Sequence, residues 1–104
     1  MDESEIISVC REIWAKDTKL RNDMDKFRKK YDTFSRALKD MDIAIRAYEQ
    51  DKFKSKKFIK EFYHEALICL IEMRKIAEKS RKKDLIEYVE IQEHYLDIIR
   101  KKYL

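Results

Sequence analysis

The strongest constraint on this chain is an apolar stripe whose members are spaced alternately four and three residues apart. Nine positions follow it without a break: Leu20, Met24, Phe27, Tyr31, Phe34, Leu38, Met41, Ile45 and Tyr48. An α-helix with one buried face needs this period, whereas a β-strand needs a period of two. The chain also contains no glycine and no proline, the residues that most strongly interrupt helices. The sequence therefore predicts an all-α fold.

The chain is long enough for one helical domain, residues 1–104, with a modest core. Charged residues make up 44% of it, well above the usual share of about one quarter. Slender helices account for this excess because they have much surface for their volume. Intrinsic disorder is the competing interpretation of such a charge content. Twelve aromatic side chains and the regular stripe argue against disorder.

The pattern predicts a bundle of about three helices, of which a long heptad-patterned first helix spans Glu3 to Gln50. One residue of this span interrupts the stripe, because Asp17 occupies a position that the pattern reserves for an apolar side chain. Asp17 followed by Thr18 would also make a good helix cap. Two forms are therefore open: one continuous rod, or a short helix through Ala15 followed by a long one from Thr18.

The second helix is predicted from about Ser55 to Lys79, with Phe58 in its apolar set, and the third from about Asp84, with Tyr95 on its apolar side. In the third, Asp84 and Glu87 have the spacing of a capping box with aspartate as the cap. The first helix is as long as the other two combined. We therefore expect part of its apolar stripe to stay uncovered and to serve as an interface for self-association.

The sequence holds few residues that could carry catalysis or bind a metal. Cys10 and Cys69 lie among apolar residues, where a cysteine usually behaves as a small buried apolar side chain. Two such cysteines do not make a disulfide framework, and they fit a reducing cytoplasm. Glu61 and His64 have the spacing of one di-iron ligand pair, but such a site needs that pair twice and two further glutamates. We therefore expect no enzyme activity, no cofactor and no metal site.

The ends and the apolar runs of the chain give no sign of a membrane association. The first residues, 1–5, are acidic, the reverse of the basic start of a signal peptide. The longest apolar run covers only residues 66–71, which is too short to span a bilayer. The sequence predicts a cytoplasmic protein without a membrane partner.

Positive charge is concentrated in the second half of the chain. Residues 1–52 carry twelve basic and twelve acidic side chains, whereas residues 53–104 carry thirteen and nine. If the second and third helices fold back on each other, the groups around Lys54 and Arg100 meet at one end, about 35 Å from the group around Lys79. Such positive ends could contact successive phosphates of RNA. The alternative is that the lysines only keep the protein in solution.

Three segments of the chain form a recognisable series: Lys19-Leu20-Arg21-Asn22 with Met24 and Tyr31, then Phe62-Tyr63-His64-Glu65-Ala66, then Lys82-Lys83 with Leu85-Ile86-Glu87-Tyr88 and Glu93. In this order they resemble the small helical subunit of type III-A (Csm) CRISPR effector complexes. The resemblance implies a non-catalytic RNA-binding subunit that steadies a guide–target duplex together with other protein subunits. It makes Arg21 a candidate for contact with the RNA backbone. The alternative for Arg21 is a surface ion pair with Asp17 or Asp25.

Two functions of different classes follow. The first is RNA binding within a ribonucleoprotein, through basic residues that contact the nucleic-acid backbone. The second is a helical protein-interaction module, either a coiled-coil dimer or a bundle of the immunity or inhibitor type, in which the lysines have no nucleic-acid role. The residues predicted to bind nucleic acid are Arg21, Lys54, Lys56, Lys57, Lys79, Arg81, Lys82, Lys83, Arg100 and Lys101.

Overall fold

A computed structural model describes residues 2–53 and 55–104. These residues form four α-helices and a single turn of 3₁₀-helix, Thr18–Leu20. The α-helices are α1 (Glu3–Lys16), α2 (Arg21–Gln50), α3 (Lys57–Ser80) and α4 (Lys83–Tyr103). Within the described residues there is no strand. The all-α prediction is confirmed. The structure has four α-helices where about three were predicted, because the first predicted helix is divided in two.

The break between α1 and α2 lies at Asp17. This residue has an extended backbone, with φ −124° and ψ 100°. Its N–H donates to the Ile13 carbonyl at 2.9 Å, and its Oδ1 accepts from the Lys19 N–H at 3.0 Å. The carboxylate thus ends α1 and caps the 3₁₀ turn that leads into α2. Of the two forms that the sequence left open, the structure has the broken one.

The four helices lie side by side in an elongated bundle of 52 × 19 × 18 Å. An ion pair of 2.9 Å between Lys79 and Asp23 places the end of α3 beside the start of α2, so these two helices are antiparallel. Helix α4 returns along α3 and is therefore parallel to α2. Two pairs of tyrosine rings join α2 to α4, Tyr31 with Tyr88 at 5.9 Å and Tyr48 with Tyr103 at 6.3 Å. Helix α1 folds back over the first half of α2.

The apolar stripe of α2 supplies the centre of the core. Seven of its nine members are buried, and Leu38 and Tyr48 are half-buried against the same core. The expectation that part of this stripe stays uncovered is wrong, because the break at Asp17 lets α1 fold back onto α2. Phe58 and Tyr95, which the pattern assigns to the apolar faces of the later helices, are instead 58% and 38% exposed.

The turn between α3 and α4 is built without glycine. Arg81 adopts a left-handed conformation, with φ 58° and ψ 19°, which closes α3. The buried Ser80 hydroxyl donates to the Ala77 carbonyl at 2.7 Å and accepts from the Lys82 N–H at 3.2 Å. The predicted cap at Asp84 is wrong: Lys82 occupies the cap position of α4, and Asp84 lies in the first turn. There its negative charge still favours the helix N-terminus.

Replacing a buried residue of the α2 stripe should unfold the bundle far more easily than replacing an exposed one. Phe34→Ala removes a fully buried ring, so we expect a loss of about 3–5 kcal/mol in the free energy of unfolding. Ile43→Ala, on the opposite face of α2 and 66% exposed, should change it by less than about 0.5 kcal/mol. Urea unfolding followed by circular dichroism measures both. Equal losses would contradict the assigned faces of α2.

Candidate nucleic-acid interface

Lysines and arginines from three elements gather at one end of the bundle. They come from the α2–α3 loop, the first turn of α3 and the last turn of α4. The Lys56 ammonium lies 5.2 Å from the Tyr48 ring, whose edge meets Tyr103, and the Lys102 ammonium lies 3.9 Å from Glu49. We call this set the basic end. Its described members are Lys52, Lys56, Lys57, Lys60, Arg100, Lys101 and Lys102. The predicted site residue Lys54 lies outside the described residues.

Part of the positive charge at the basic end is neutralised locally. Asp97 pairs with Arg100 at 2.8 Å and with Lys101 at 2.9 Å. These hydrogen bonds hold the pKa of the Asp97 carboxyl below its usual value. By contrast, Lys52, Lys57 and Lys60 make no ion pair within the described part of the chain and are exposed. The positive charge that is open to a partner therefore comes mainly from the loop and the start of α3.

Two exposed aromatic side chains lie among these lysines. Phe53, at the tip of the α2–α3 loop, is fully exposed, and Phe58 in the first turn of α3 is 58% exposed. The Phe53 N–H donates to Asp51 Oδ1 at 3.1 Å, and the Lys57 N–H donates to Ser55 Oγ at 3.0 Å. These bonds order the two sides of the loop. Beside it lies a shallow groove of about 400 Å³, lined by Ala44, Ala47, Tyr48, Ser55 and Phe58.

The second group of predicted site residues, Lys79 with residues 81–83, lies at the other end of the bundle. The 24 residues of α3 separate the two ends by about 36 Å. Lys79 pairs with Asp23, whose side chain is only 16% exposed, and Lys83 lies 3.6 Å from Glu87. Arg81 and Lys82 are exposed and make no ion pair among the described residues.

Carboxylates also lie close to the lysines at this second end. A cleft of about 260 Å³ between α1 and the start of α4 is lined by Glu12, Asp17 and Asp84 as well as by three lysines. Because opposite charges alternate around it, this end offers a polyanion less uncompensated positive charge than the basic end does.

Arg21 has a structural contact that the sequence did not predict. Its Nε donates to the Trp14 carbonyl at 2.9 Å, and its guanidinium lies 4.4 Å from the centre of the Trp14 ring. Neither of the ion pairs proposed as alternatives, with Asp17 or with Asp25, is present in the described chain. Arg21 therefore fixes the corner between α1 and α2, at the end of the bundle where Lys79 pairs with Asp23.

Sequence reasoning missed the part that Phe53 and Phe58 take in the site. Their signal was present in the segment Lys52-Phe53-Lys54 and in Lys57-Phe58, where phenylalanine stands directly beside lysine. The helical period assigned Phe58 to the core, and Phe53 belonged to no predicted helix. Only the structure shows that Phe53, on the loop after α2, and Phe58, in the first turn of α3, are both exposed.

Other chemistry has little support in the described residues. No group of three or more histidine, cysteine, aspartate or glutamate side chains there is arranged to hold a metal ion. Cys10 and Cys69 are free and buried, and burial raises the pKa of the Cys10 thiol to about 11. That shift makes the Cys10 thiol a poor nucleophile at neutral pH. No described helix combines the length and the apolar composition needed to cross a membrane.

Comparison with known proteins returned no relative: no family model matches the chain, and neither the curated proteins nor the solved structures contain a significant match.

Substituting Arg21 should loosen the α1–α2 corner even when its charge is kept. Arg21→Lys removes the planar group that stacks on Trp14 and bonds to its carbonyl, so we expect a loss of about 1 kcal/mol in the free energy of unfolding. Trp14 is the only tryptophan, so its fluorescence reports on this corner during urea unfolding. Arg36→Lys, an exposed residue of α2, is the matched control. If both variants unfold at the same urea concentration, the contacts of Arg21 with Trp14 do not stabilise the α1–α2 corner.

Proposed function

We propose that this protein is a non-catalytic RNA-binding subunit of a ribonucleoprotein assembly of the CRISPR effector type, and that it holds the RNA backbone through its basic end. The observation that carries this proposal is the convergence of Lys52, Lys57 and Lys60 with the exposed ring of Phe53 at one pole of the bundle. The resemblance to small subunits of type III-A complexes supports the same class of function. The buried free thiols are consistent with a reducing cytoplasm.

The lysines of the basic end are suited to contact phosphates, which does not require recognition of particular bases. Each is a point charge on a flexible stem, so several can reach successive phosphates along a strand. Binding of this kind gains free energy from the release of condensed counterions and weakens steeply as salt is added. Arg100 and Lys101 share Asp97, so they contribute less net charge than the lysines of the loop and of the start of α3.

Phe53 adds a second kind of contact. An exposed ring surrounded by cations is typical of surfaces on which unpaired bases stack, because every base presents an aromatic face. Paired bases inside a duplex are not available for such stacking. We therefore expect the lysines to contact single-stranded and duplex RNA equally, whereas Phe53 contacts only single-stranded RNA.

A second candidate function is a protein-interaction module without a nucleic-acid role, such as a coiled-coil dimer or a bundle of the immunity or inhibitor type. The observation that favours it is the number of predicted RNA contacts held in intramolecular ion pairs, namely Lys79, Lys83, Arg100 and Lys101. In this case the remaining lysines keep the protein soluble, and no polyanion binds to the basic end.

Removing four lysines from the basic end should sharply weaken RNA binding. We expect the variant with Lys52, Lys56, Lys57 and Lys60 changed to glutamine to bind a labelled single-stranded RNA at least about tenfold more weakly at low salt. The slope of log affinity against log salt should fall by roughly three. Fluorescence anisotropy between about 50 and 200 mM salt measures both quantities.

A variant that removes four charges from the other end tests whether RNA binding depends on where the positive charge lies or only on the net charge of the protein. Changing Lys79, Arg81, Lys82 and Lys83 to glutamine removes the same four charges, yet we expect a loss of affinity below about threefold. Circular dichroism must show unchanged helicity in both variants. Equal losses would contradict binding at one pole, and absence of RNA binding by the unmodified protein at low salt would favour the second candidate function.

Removing the exposed ring should weaken single-strand binding selectively. Phe53→Ala should cost about 1 kcal/mol of binding free energy on single-stranded RNA and leave binding to a duplex of the same sequence unchanged. Phe53→Tyr, which keeps an aromatic face, is the control and should bind like the unmodified protein. An equal loss on both RNAs would show that Phe53 shapes the loop instead of stacking on a base.

A further inference from the structure

Helix α4 has a second apolar face that the described chain covers only in part. Ile91 is 59% exposed, Tyr95 38% and Ile98 47%. Their spacing of four and three residues places them on one side of the helix. This side is distinct from the inner face, where residues such as Val89 and Leu96 are buried in the core. We call Ile91, Tyr95 and Ile98, with Glu87 before them and Lys102 after them, the outer stripe of α4.

The outer stripe stays partly exposed because α1 is too short to complete the bundle. Helix α1 has 14 residues, about 21 Å, whereas α2 has 30, about 45 Å. The start of α1 lies beside Tyr31, where burial and, to a smaller extent, the charge of Glu3 raise the pKa of the Tyr31 hydroxyl. Beyond that level α2 and α4 continue with no fourth helix beside them. A surface depression lined by Glu87, Glu90, Ile91 and His94 marks the start of this region on α4.

The order of side chains along the outer stripe is self-complementary. If two copies of α4 lie antiparallel about a point midway between Ile91 and Ile98, Ile91 of one copy faces Ile98 of the other. Glu87 then faces Lys102, and the rings of His94 and Tyr95 meet near the axis. Such an isologous arrangement uses the same patch on both copies. In a parallel arrangement Glu87 would face Glu87 and Lys102 would face Lys102, which like-charge repulsion opposes.

We propose that the outer stripe of α4 is a homodimer interface in which two copies of this chain pack their α4 helices antiparallel, in the register that sets Ile91 against Ile98. Antiparallel α4 helices also set their macrodipoles in opposite directions, so each N-terminal end lies near a C-terminal end. The contact buries three exposed apolar side chains of each copy together with two interchain ion pairs.

Local ion pairs do not prevent this arrangement. In the single chain Glu87 lies 3.6 Å from Lys83, and Lys102 lies 3.9 Å from Glu49. All four side chains are at least 48% exposed. Exposed pairs of this kind contribute little to stability, so the lysines can exchange partners at little cost. A contact made by one helix pair is smaller than a standard protein interface, and we therefore expect a dissociation constant in the micromolar range.

Of the basic end, only Lys102 also belongs to this interface, and the lysines that carry the RNA proposal do not. Lys52, Lys57 and Lys60 lie on the α2–α3 loop and α3, and none belongs to the outer stripe. An antiparallel dimer would carry its two basic ends at opposite ends of the paired helices. The monomeric variant described next should therefore retain RNA binding, so failure of the dimer and failure of the RNA proposal give different results.

Sedimentation equilibrium of the purified protein over about 1–200 µM tests the dimer. We expect a reversible monomer–dimer equilibrium that Ile98→Glu weakens at least about tenfold, because it places carboxylates beside the apolar centre of the stripe. Ile68→Glu is the matched control, since Ile68 is 62% exposed on α3 and lies outside the stripe. A monomer throughout this range, or a dimer that Ile68→Glu weakens and Ile98→Glu does not, would overturn the proposal.

Charge reversal tests the register. Glu87→Lys alone and Lys102→Glu alone should each weaken the dimer several-fold, whereas the double variant should restore it, because each new lysine then faces a new glutamate. Failure of the double variant to recover would overturn the antiparallel register. Cross-linking provides a second readout: His94→Cys, near the axis, should form a disulfide between copies, and Lys83→Cys should not. Cys10 and Cys69 are buried and should not interfere.

Discussion

Burial of the apolar face of α2 is the interaction on which the rest of the structure depends. Phe27, Phe34 and Met41 are completely buried along this face, and the other three helices supply the surfaces that cover it. No disulfide links the two free cysteines, so side-chain packing holds the helices together. Because α2 runs the full length of the bundle, it sets the distance between the two charged ends. It also determines which surfaces of the shorter helices remain exposed.

The break at Asp17 determines how much of α2 is covered by α1. A carboxylate at a stripe position ends the helix, and the chain reverses through one 3₁₀ turn held by the contact between Arg21 and Trp14. Helix α1 then covers only the first half of α2. Over the second half, α4 reaches α2 through large rings, Tyr48 with Tyr103, whose hydroxyl donates to Glu49. The outer face of α4 stays exposed as a result.

Intramolecular ion pairs determine which lysine and arginine side chains remain available to a partner. Lys79 and Asp23 join α3 to α2, and Arg74 joins α3 to α4 through Glu93. These ion pairs between helices neutralise positive charges that the sequence alone would assign to a binding surface. The lysines of the α2–α3 loop and the start of α3, Lys52, Lys57 and Lys60, make no ion pair within the described residues. The binding surface that we propose is therefore set by which lysines the packing of the helices leaves unpaired.

The sequence by itself determined the fold class, the boundaries of α3 and the start of α4 to within about two residues, and the buried face of α2. Hydrophobic periodicity predicts these features because each depends on residues that are close together in the chain. It left the break at Asp17 open, placed Phe58 and Tyr95 in the core and treated every lysine cluster alike. Those points depend on which helix lies opposite each residue. Only the tertiary structure decided that Lys79 meets a carboxylate, that Lys57 does not, and that the outer stripe of α4 stays partly exposed, because each depends on the lengths and the packing of helices distant in sequence.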